Sequence, residues 1–283
     1  MTLCLGALAA DRKAIVCVAD KGLSYGDGIQ WDSDSTKIVP IGTSGVRALI
    51  SGDEFMISRV LRNLASVSDF GRDALATIKK SEEAYRMAES EIIEAVFLQQ
   101  HTLKTEDYNN AITAPQINTL IESIAVKIDQ ERQERNYTSC AMLLCGFDSD
   151  KKPFILHLDS PGLVMDLTHT GHGAVGSGFE RAISRLLWSD WKAEHPLDRV
   201  VYDIFDAKAD AEMNPFVGSD WDTVIITEKE TVILPKEQKN LVERAWVKNT
   251  RSPWETHDPD TDLPEPPADW KEQLEKYCNA LLD

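Results

Sequence analysis

The chain has 283 residues, 42% of them hydrophobic, and its 47 acidic and 30 basic side chains give a formal net charge of -17. This length allows one large core, and the negative charge argues against a nucleic-acid backbone or an anionic membrane surface as a partner. No run approaches the roughly 18 apolar residues of a membrane-spanning helix, and the N-terminus lacks the pattern of a signal peptide, so we expect a cytoplasmic protein.

Short β-rich runs alternate with turns in the first fifty residues, which predicts an antiparallel sheet. A loop rich in Gly, Asp and Ser is expected from Lys21 to Thr36. After Ser51-Gly52-Asp53, apolar residues recur at i, i+3, i+4 and i+7 from Ile57, which predicts a helix that begins just after a glycine turn. The predicted strands are Leu3 to Leu8, Ala14 to Ala19, Ile38 to Ile41 and Val46 to Ser51.

Helical periodicity dominates from about residue 53 to 136, with apolar stripes over 78–100 and 117–128. Strands, helices and a hairpin follow, so the order is strands, helices, strands, helices, strands. This order favours an α+β fold, a four-layer αββα sandwich with two sheets inside and helices outside, over a regular parallel α/β fold. The later predicted elements are strands at 140–147, 153–158 and 163–167, helices near Phe179 and Leu197, and a hairpin from Thr223 to Leu234.

We expect one main domain over 1–234 and an extension over 235–283. The extension holds six of the twelve prolines, many carboxylates and three tryptophans, and helical spacing returns only at Trp270, Leu274 and Tyr277. We expect this tail to wrap a neighbouring subunit or its own body.

Five cysteines, an odd number, predict buried reduced thiols, because four of them lie in apolar strand-like runs. Cys140 and Cys145 are five apart, with neither histidine nor further cysteine beside them, so we expect neither a zinc site nor any other metal or cofactor. The other three are Cys4, Cys17 and Cys278.

Thr2 is the candidate for chemistry. A threonine hydroxyl is a poor nucleophile unless a base lies within hydrogen-bond reach, and a free α-amine on the same residue can be that base. Threonine is small enough that loss of Met1 is expected, and Thr2 opens a predicted strand that would hold the new terminus in place.

Several segments in a fixed order accompany Thr2 and resemble the β-type subunits of the proteasome and their bacterial relatives, in the family of N-terminal nucleophile hydrolases. The resemblance covers roughly residues 2 to 234. The segments that carry it are Val18-Ala19-Asp20-Lys21-Gly22, Ser35-Thr36-Lys37-Ile38, Leu49-Ile50-Ser51-Gly52, Cys140 to Asp148, Pro153 to Asp159 and Ala174-Val-Gly-Ser177-Gly178.

The resemblance implies a role for each matching residue. Thr2 would be the nucleophile and its amine the general base; Lys37 would lie beside the hydroxyl, and Asp20 would pair with Lys37. The backbone N–H of Gly52 would face the developing oxyanion. Ser177 would orient the amine by a hydrogen bond.

The sequence departs from the family pattern shortly before the last hairpin, where the family carries an Asp and a second Ser. Ser219 is placed to act as that serine, but Asn214 is at best a substitute for the Asp. The family otherwise implies a peptide or protein substrate and self-association into a ring, through the helices at 78–100 and 117–128 or the tail. It leaves open whether an ATPase partner exists.

Each site residue also has a simpler interpretation. Asp20 and Lys37 are compatible with an exposed ion pair, Ser177 with the N-cap of the next helix, and Gly52 with a turn alone. The alternative function for the whole chain is a catalytically weak or inactive ring subunit that acts as a scaffold.

A different alternative is a dinucleotide-binding oxidoreductase, because Gly171-His-Gly173-Ala-Val-Gly176 satisfies G-x-G-x-x-G. We disfavour it because no βαβ unit surrounds the motif. His169 and His172 lie three apart without a third ligand in reach, so we interpret them as surface histidines.

Overall fold

The computed structural model describes residues 2–25, 29–32, 36–113, 119–134, 139–250 and 266–282. These residues form two five-stranded antiparallel sheets, a separate two-stranded hairpin and a set of helices. The α+β prediction is therefore confirmed.

The first sheet has the strand order β10-β1-β2-β11-β12. Its central strands are buried along their whole length, which explains why they read as nearly continuous apolar runs rather than as alternating patterns. Cys4 lies opposite Ala19 on one side and Val175 on the other, which brings the beginning of β1 next to the end of β2. The strands are β1 (Cys4–Ala9), β2 (Ala14–Asp20), β10 (His172–Val175), β11 (Trp221–Thr227) and β12 (Thr231–Ile233).

The second sheet has the order β5-β6-β7-β8-β9 and contacts the first, with β1 packed against β6 and β7. In its register, Gly52 at the end of β6 lies opposite Cys140 at the beginning of β7. The strands are β5 (Ile38–Pro40), β6 (Arg47–Gly52), β7 (Cys140–Phe147), β8 (Pro153–Asp159) and β9 (Leu163–Asp166).

Helices pack on the outer face of each sheet. In the second sheet, α1 contacts β6 while α2 contacts β8 and β9; in the first, α5 contacts β10 while α6 contacts β1 and β2. One apolar cluster fills the space between the sheets and under α5 and α6, and another fills the space between the second sheet, α1 and α2. The helices are α1 (Glu54–Ala65), α2 (Ala74–Ile93), α3 (Thr105–Ile112), α4 (Thr119–Glu134), α5 (Phe179–Trp188), α6 (Leu197–Ala211), α7 (Lys236–Thr250) and α8 (Trp270–Leu282).

The predicted loop from Lys21 to Thr36 was wrong in part, because it contains a hairpin of β3 (Gly22–Tyr25) and β4 (Ile29–Asp32). A π-helical turn at Glu94–Leu98 follows α2, and α3 is a further helix that the sequence did not predict. Residues 33–35, and so Ser35 of the motif before Lys37, lie outside the described residues.

The described part of residues 235–283 packs on its own chain and contains one helix, α7, that the sequence did not predict. Helix α7 begins directly after β12, and Leu241 and Val242 of α7 are buried together with Leu274 and Cys278 of α8 in the same apolar cluster as the first sheet. Both helices contact α6. The described part of the extension therefore contributes to the core of its own chain, which is one of the two arrangements expected for it.

Two other predictions concern the whole chain. All five cysteines are buried and carry free thiols, as predicted. Among the described residues, no helix has both the length and the apolar character to cross a membrane.

Candidate active site

Thr2, Asp20 and Lys37, here called the Thr2 cluster, meet at one end of the two sheets. The antiparallel pairing of β1 with β2 puts residue 2 beside Asp20, and the Asp20 N–H donates to the Leu3 carbonyl at 3.0 Å. Lys37 directly precedes β5, which contacts β2. The three residues are 5%, 0% and 6% exposed, so they do not form the surface ion pair that was the simpler interpretation.

The Thr2 hydroxyl lies between a carboxylate and an ammonium group. It donates to Asp20 Oδ1 at 2.5 Å and accepts a hydrogen bond from Lys37 Nζ. Lys37 Nζ also donates to Asp20 Oδ1 at 3.0 Å and to the Gly22 carbonyl. All three ammonium protons therefore have acceptors, and the ammonium is held against the oxygen that would act as nucleophile.

Backbone N–H groups complete the shell around Asp20. Its Oδ1 accepts from Leu3 N at 2.6 Å, and its Oδ2 accepts from Gly22 N and Gly218 N, each at 3.0 Å. Burying a charged group is costly unless it is paired and hydrogen-bonded. The carboxylate meets this condition because all five groups that contact it are donors: the Thr2 hydroxyl, the Lys37 ammonium and these three backbone N–H groups.

The glycine turn before α5 lies against residue 2. Gly176 has φ +96°, and a Cβ there would overlap the Thr2 carbonyl oxygen and lie 2.8 Å from Thr2 Cγ2. Gly178 N donates to the Thr2 carbonyl at 3.4 Å, and the Ser177 hydroxyl donates to the same oxygen at 3.5 Å. In this structure Ser177 thus binds the carbonyl of Thr2 and not its nitrogen. Its alternative role as an N-cap is also wrong, since Gly178 occupies that position without a side-chain cap.

Gly52 lies at the end of β6, at the turn into α1, as predicted. Its φ is +117°, and a Cβ would lie 2.7 Å from both the Cα of Cys140 and the Ser139 carbonyl oxygen, so only glycine fits. Two residues earlier, Ile50 N donates to the Lys37 carbonyl at 3.0 Å, which places this end of β6 beside the Thr2 cluster. The oxyanion role of the Gly52 N–H remains a prediction.

The segment between α6 and β11 reaches the cluster through its backbone. Ser219 is exposed and its neighbour Gly218 supplies the N–H bound to Asp20. Asn214, the substitute for the missing Asp, donates from Nδ2 to the Ser177 carbonyl at 3.0 Å. Asn214 therefore ties the α6–β11 segment to the glycine turn, and Ser219 contributes here through its backbone.

Sequence reasoning missed the backbone donors at Gly22 and Gly218. Gly22 follows Asp20 within the quoted Asp20-Lys21-Gly22 motif, which was a usable signal for a local turn onto the carboxylate. Gly218 offered no comparable signal. It lies 198 residues from Asp20 in the sequence, and the pairing of β11 with β2 brings the two residues together.

Thiol nucleophiles do not compete with Thr2 in this region. Burial raises the pKa of Cys4, which lies next in the strand after Leu3. A hydrogen bond with the Cys145 side chain, together with burial, raises the pKa of Cys17. Since the thiolate is the reactive form, these thiols are unreactive at neutral pH.

The glycines of Gly171 to Gly176 do not lie in a dinucleotide-binding unit. Gly171 precedes β10, Gly173 lies in it and Gly176 follows it; β10 pairs antiparallel with β1, whereas the fingerprint needs a parallel βαβ unit. His169 is exposed, as predicted, whereas His172 is partly buried, with its ring 5.0 Å from that of Trp191 in an edge-on arrangement. No group of three potential metal ligands occurs in the described ranges.

The chain matches no protein-family model. Comparison with curated proteins gives no significant match. The geometry of the site is therefore the basis for any function assigned to this chain.

Proposed function

We propose that this protein is a threonine-type peptidase or amidase of the N-terminal nucleophile kind, with Thr2 as its nucleophile after removal of Met1. One observation carries the proposal: the Thr2 hydroxyl contacts Lys37 Nζ and Asp20 Oδ1 together, in a buried position at the beginning of β1. A threonine with only a structural role has no need for a buried ammonium against its hydroxyl.

The reaction follows from groups on one residue. The free α-amine of Thr2 takes the hydroxyl proton while Oγ1 attacks the carbonyl carbon of the substrate amide. The tetrahedral intermediate collapses, the C–N bond breaks, and the leaving amine takes that proton from the Thr2 ammonium. Water, activated by the same amine, then hydrolyses the ester and frees the Thr2 hydroxyl.

Lys37 and Asp20 support this sequence in different ways. The Lys37 ammonium stabilises negative charge as it develops on Oγ1, because opposite charges in a buried site interact strongly. Asp20 holds the ammonium and the hydroxyl in one geometry and neutralises the buried charge. The Gly52 N–H is the proposed donor to the oxyanion, a contact that typically contributes about 3 kcal/mol.

The proposal extends to fold type and assembly. The two sheets with outer helices are compatible with the αββα sandwich of N-terminal nucleophile hydrolases, and we infer self-association into a ring from the same resemblance. A peptide or protein is the inferred substrate. The helices α2 and α4 remain the proposed contact surfaces, whereas α7 and α8 pack on their own chain.

Intact-mass analysis with and without a small β-lactone tests this function. We expect the purified protein to lack Met1. We also expect one equivalent of lactone to add, because the ring opens on the hydroxyl without losing a group. Peptide mapping should place the adduct on Thr2.

Two variants serve as controls. Thr2→Ala should take up no lactone, and Thr2→Ser should take up one equivalent, since serine keeps the hydroxyl. A wild-type protein that retains Met1 and forms no adduct would contradict the proposal and favour a scaffolding subunit.

A further inference from the structure

Lys208 is a fully buried cation that the proposed mechanism does not use. It lies near the end of α6 and is 0% exposed, which is rare for lysine without a specific partner. Its Nζ donates to Glu212 Oε1, four residues along the chain, and to the Ser219 carbonyl oxygen at 2.6 Å. The lysine therefore binds both the beginning and the end of the segment that connects α6 to β11.

That segment leads directly to the Thr2 cluster. Gly218, next to Ser219, donates its N–H to Asp20 Oδ2 at 3.0 Å. After Ser219, the Asp220 carbonyl accepts from the Lys21 N–H at 2.9 Å. The two carbonyls that follow Gly218 are thus both held, one by Lys208 and the other by the residue after β2.

Charge reinforces this arrangement. Burial lowers the pKa of Lys208, while the nearby carboxylates of Glu212 and Asp20 raise it. Burial raises the pKa of Glu212, and Lys208 opposes that shift. Removing Glu212 alone would therefore leave the buried Lys208 ammonium without its carboxylate partner.

We propose that Lys208 is a positioning residue for catalysis: through the Ser219 carbonyl it fixes the Gly218 N–H on Asp20, and Asp20 in turn fixes the Thr2 hydroxyl and Lys37. This inference rests on the proposed function of Thr2. It assigns a role to a residue that no sequence motif singled out.

The test uses a variant that removes both charges, Lys208→Met with Glu212→Met, because replacing a buried ion pair by apolar side chains is often tolerated. The control is Lys152→Met with Asp150→Met, an exposed ion pair at 3.6 Å in the turn between β7 and β8. Thermal melting gives the folded fraction of each protein. Lactone addition to Thr2 is then measured as a saturating rate constant and a half-saturating concentration.

We expect the saturating rate constant of the Lys208 double variant to fall about 10- to 100-fold, since small misplacements of reacting groups have effects of this size. The half-saturating concentration should stay within about twofold, and the control should match the wild type. Hydrogen exchange of the peptide containing 216–221 should become faster in the Lys208 variant only.

Two results would overturn the inference, and they are distinguishable. A wild-type protein that is labelled at Thr2, with an unchanged rate constant in the folded double variant, would show that Lys208 acts only in stability. A wild-type protein that is not labelled at all would remove the proposed function, and with it the catalytic role of Lys208.

Discussion

Asp20 is the residue on which the site geometry depends most. Its two carboxylate oxygens face five donors and no acceptor, from the side chains of Thr2 and Lys37 and the backbones of Leu3, Gly22 and Gly218. Any replacement that turns one oxygen into a donor sets two donors against each other. The arrangement is therefore specific for a carboxylate.

Asp20→Asn should destabilise the protein by about 3 to 5 kcal/mol, because it breaks a buried ion pair and points an NH2 group at donors. Urea denaturation measures this change. The control is Asp190→Asn. Asp190 pairs with Lys192 at 3.0 Å, the distance between Asp20 and Lys37, but the side chains of Asp190 and Lys192 are 74% and 57% exposed. This variant should leave the urea midpoint nearly unchanged. Equal shifts for the two variants would contradict the assignment.

Gly176→Ala should destabilise the folded protein more than Gly45→Ala, although both glycines have a positive φ. Gly45 has φ +78° and open space around a Cβ, so Gly45→Ala reports backbone strain alone, about 1 to 2 kcal/mol. Gly176 has φ +96° and Thr2 in contact, which should add a further 1 to 3 kcal/mol, roughly the cost of overpacking. Urea denaturation and lactone labelling of both variants check this difference. Equal losses of stability and of labelling in the two variants would contradict a fixed contact between Gly176 and Thr2.

At the residue scale, the grouping of Thr2, Asp20 and Lys37 was predicted from the resemblance to N-terminal nucleophile hydrolases, and the structure brings the three side chains together. The resemblance gave Ser177 a bond to the Thr2 nitrogen, whereas the structure has it on the carbonyl. Sequence reasoning missed Lys208, since a lysine four residues before a glutamate is normally an exposed helical pair. Only the packing of α6 on β1 and β2 shows that Lys208 is buried.

At the element scale, α6 carries the buried acid Asp203. Burial raises its pKa to about 6, partly opposed by Arg199, whose Nε lies 3.5 Å away, and reinforced by Asp206. A carboxyl in the unfolded chain has a pKa of about 3.9. Between about pH 4 and 6, the Asp203 carboxyl is therefore protonated more in the folded state than in the unfolded state.

The sign of the pH dependence follows from this difference. The contribution of Asp203 to stability is fully present below about pH 4 and is lost as the pH rises through about 6. Asp203→Asn, which cannot ionise, should gain stability relative to the wild type as the pH rises from 4 to 7. Urea denaturation at several pH values measures the difference, and a difference that is constant with pH would contradict the shifted pKa.

The elements that the sequence predicted carry strong signals: β1 and β2 are continuous apolar runs, and α1 and α5 have helical periodicity. Helix α7 was missed because it combines few apolar positions, Leu241, Val242 and Ala245, with many charges in a proline-rich region. Its position is fixed by tertiary contacts instead, such as the Trp246 Nε1 bond to Asp206 Oδ1 at 2.8 Å. The β3–β4 hairpin had a usable signal in the alternation of Leu23 and Tyr25 with polar residues.

At the scale of the whole molecule, the two sheets bring together residues that are distant in sequence. The Thr2 cluster draws on β1, β2 and the residue before β5, and its outer contacts come from the turn before α5 and the segment after α6. Such a site forms only when both sheets are complete. The fold and the proposed activity should therefore be lost together on unfolding.

The net charge of -17 acts on the molecule as a whole. It favours solubility and opposes association between copies at low salt, because like charges repel over a Debye length of about 10 Å at 0.1 M. Self-association, which we infer under the proposed function, must therefore overcome this repulsion.

The activation of the Thr2 hydroxyl by Lys37 is tested by the rate of lactone addition to Thr2 in the wild type and in Lys37→Met. We expect this rate to fall at least about 100-fold in the variant, comparable to the loss of one preorganised electrostatic contact. Circular dichroism must show that the variant remains folded, as expected since Asp20 keeps its three backbone donors. A folded Lys37→Met protein labelled at the wild-type rate would contradict the claim that the ammonium activates the Thr2 hydroxyl.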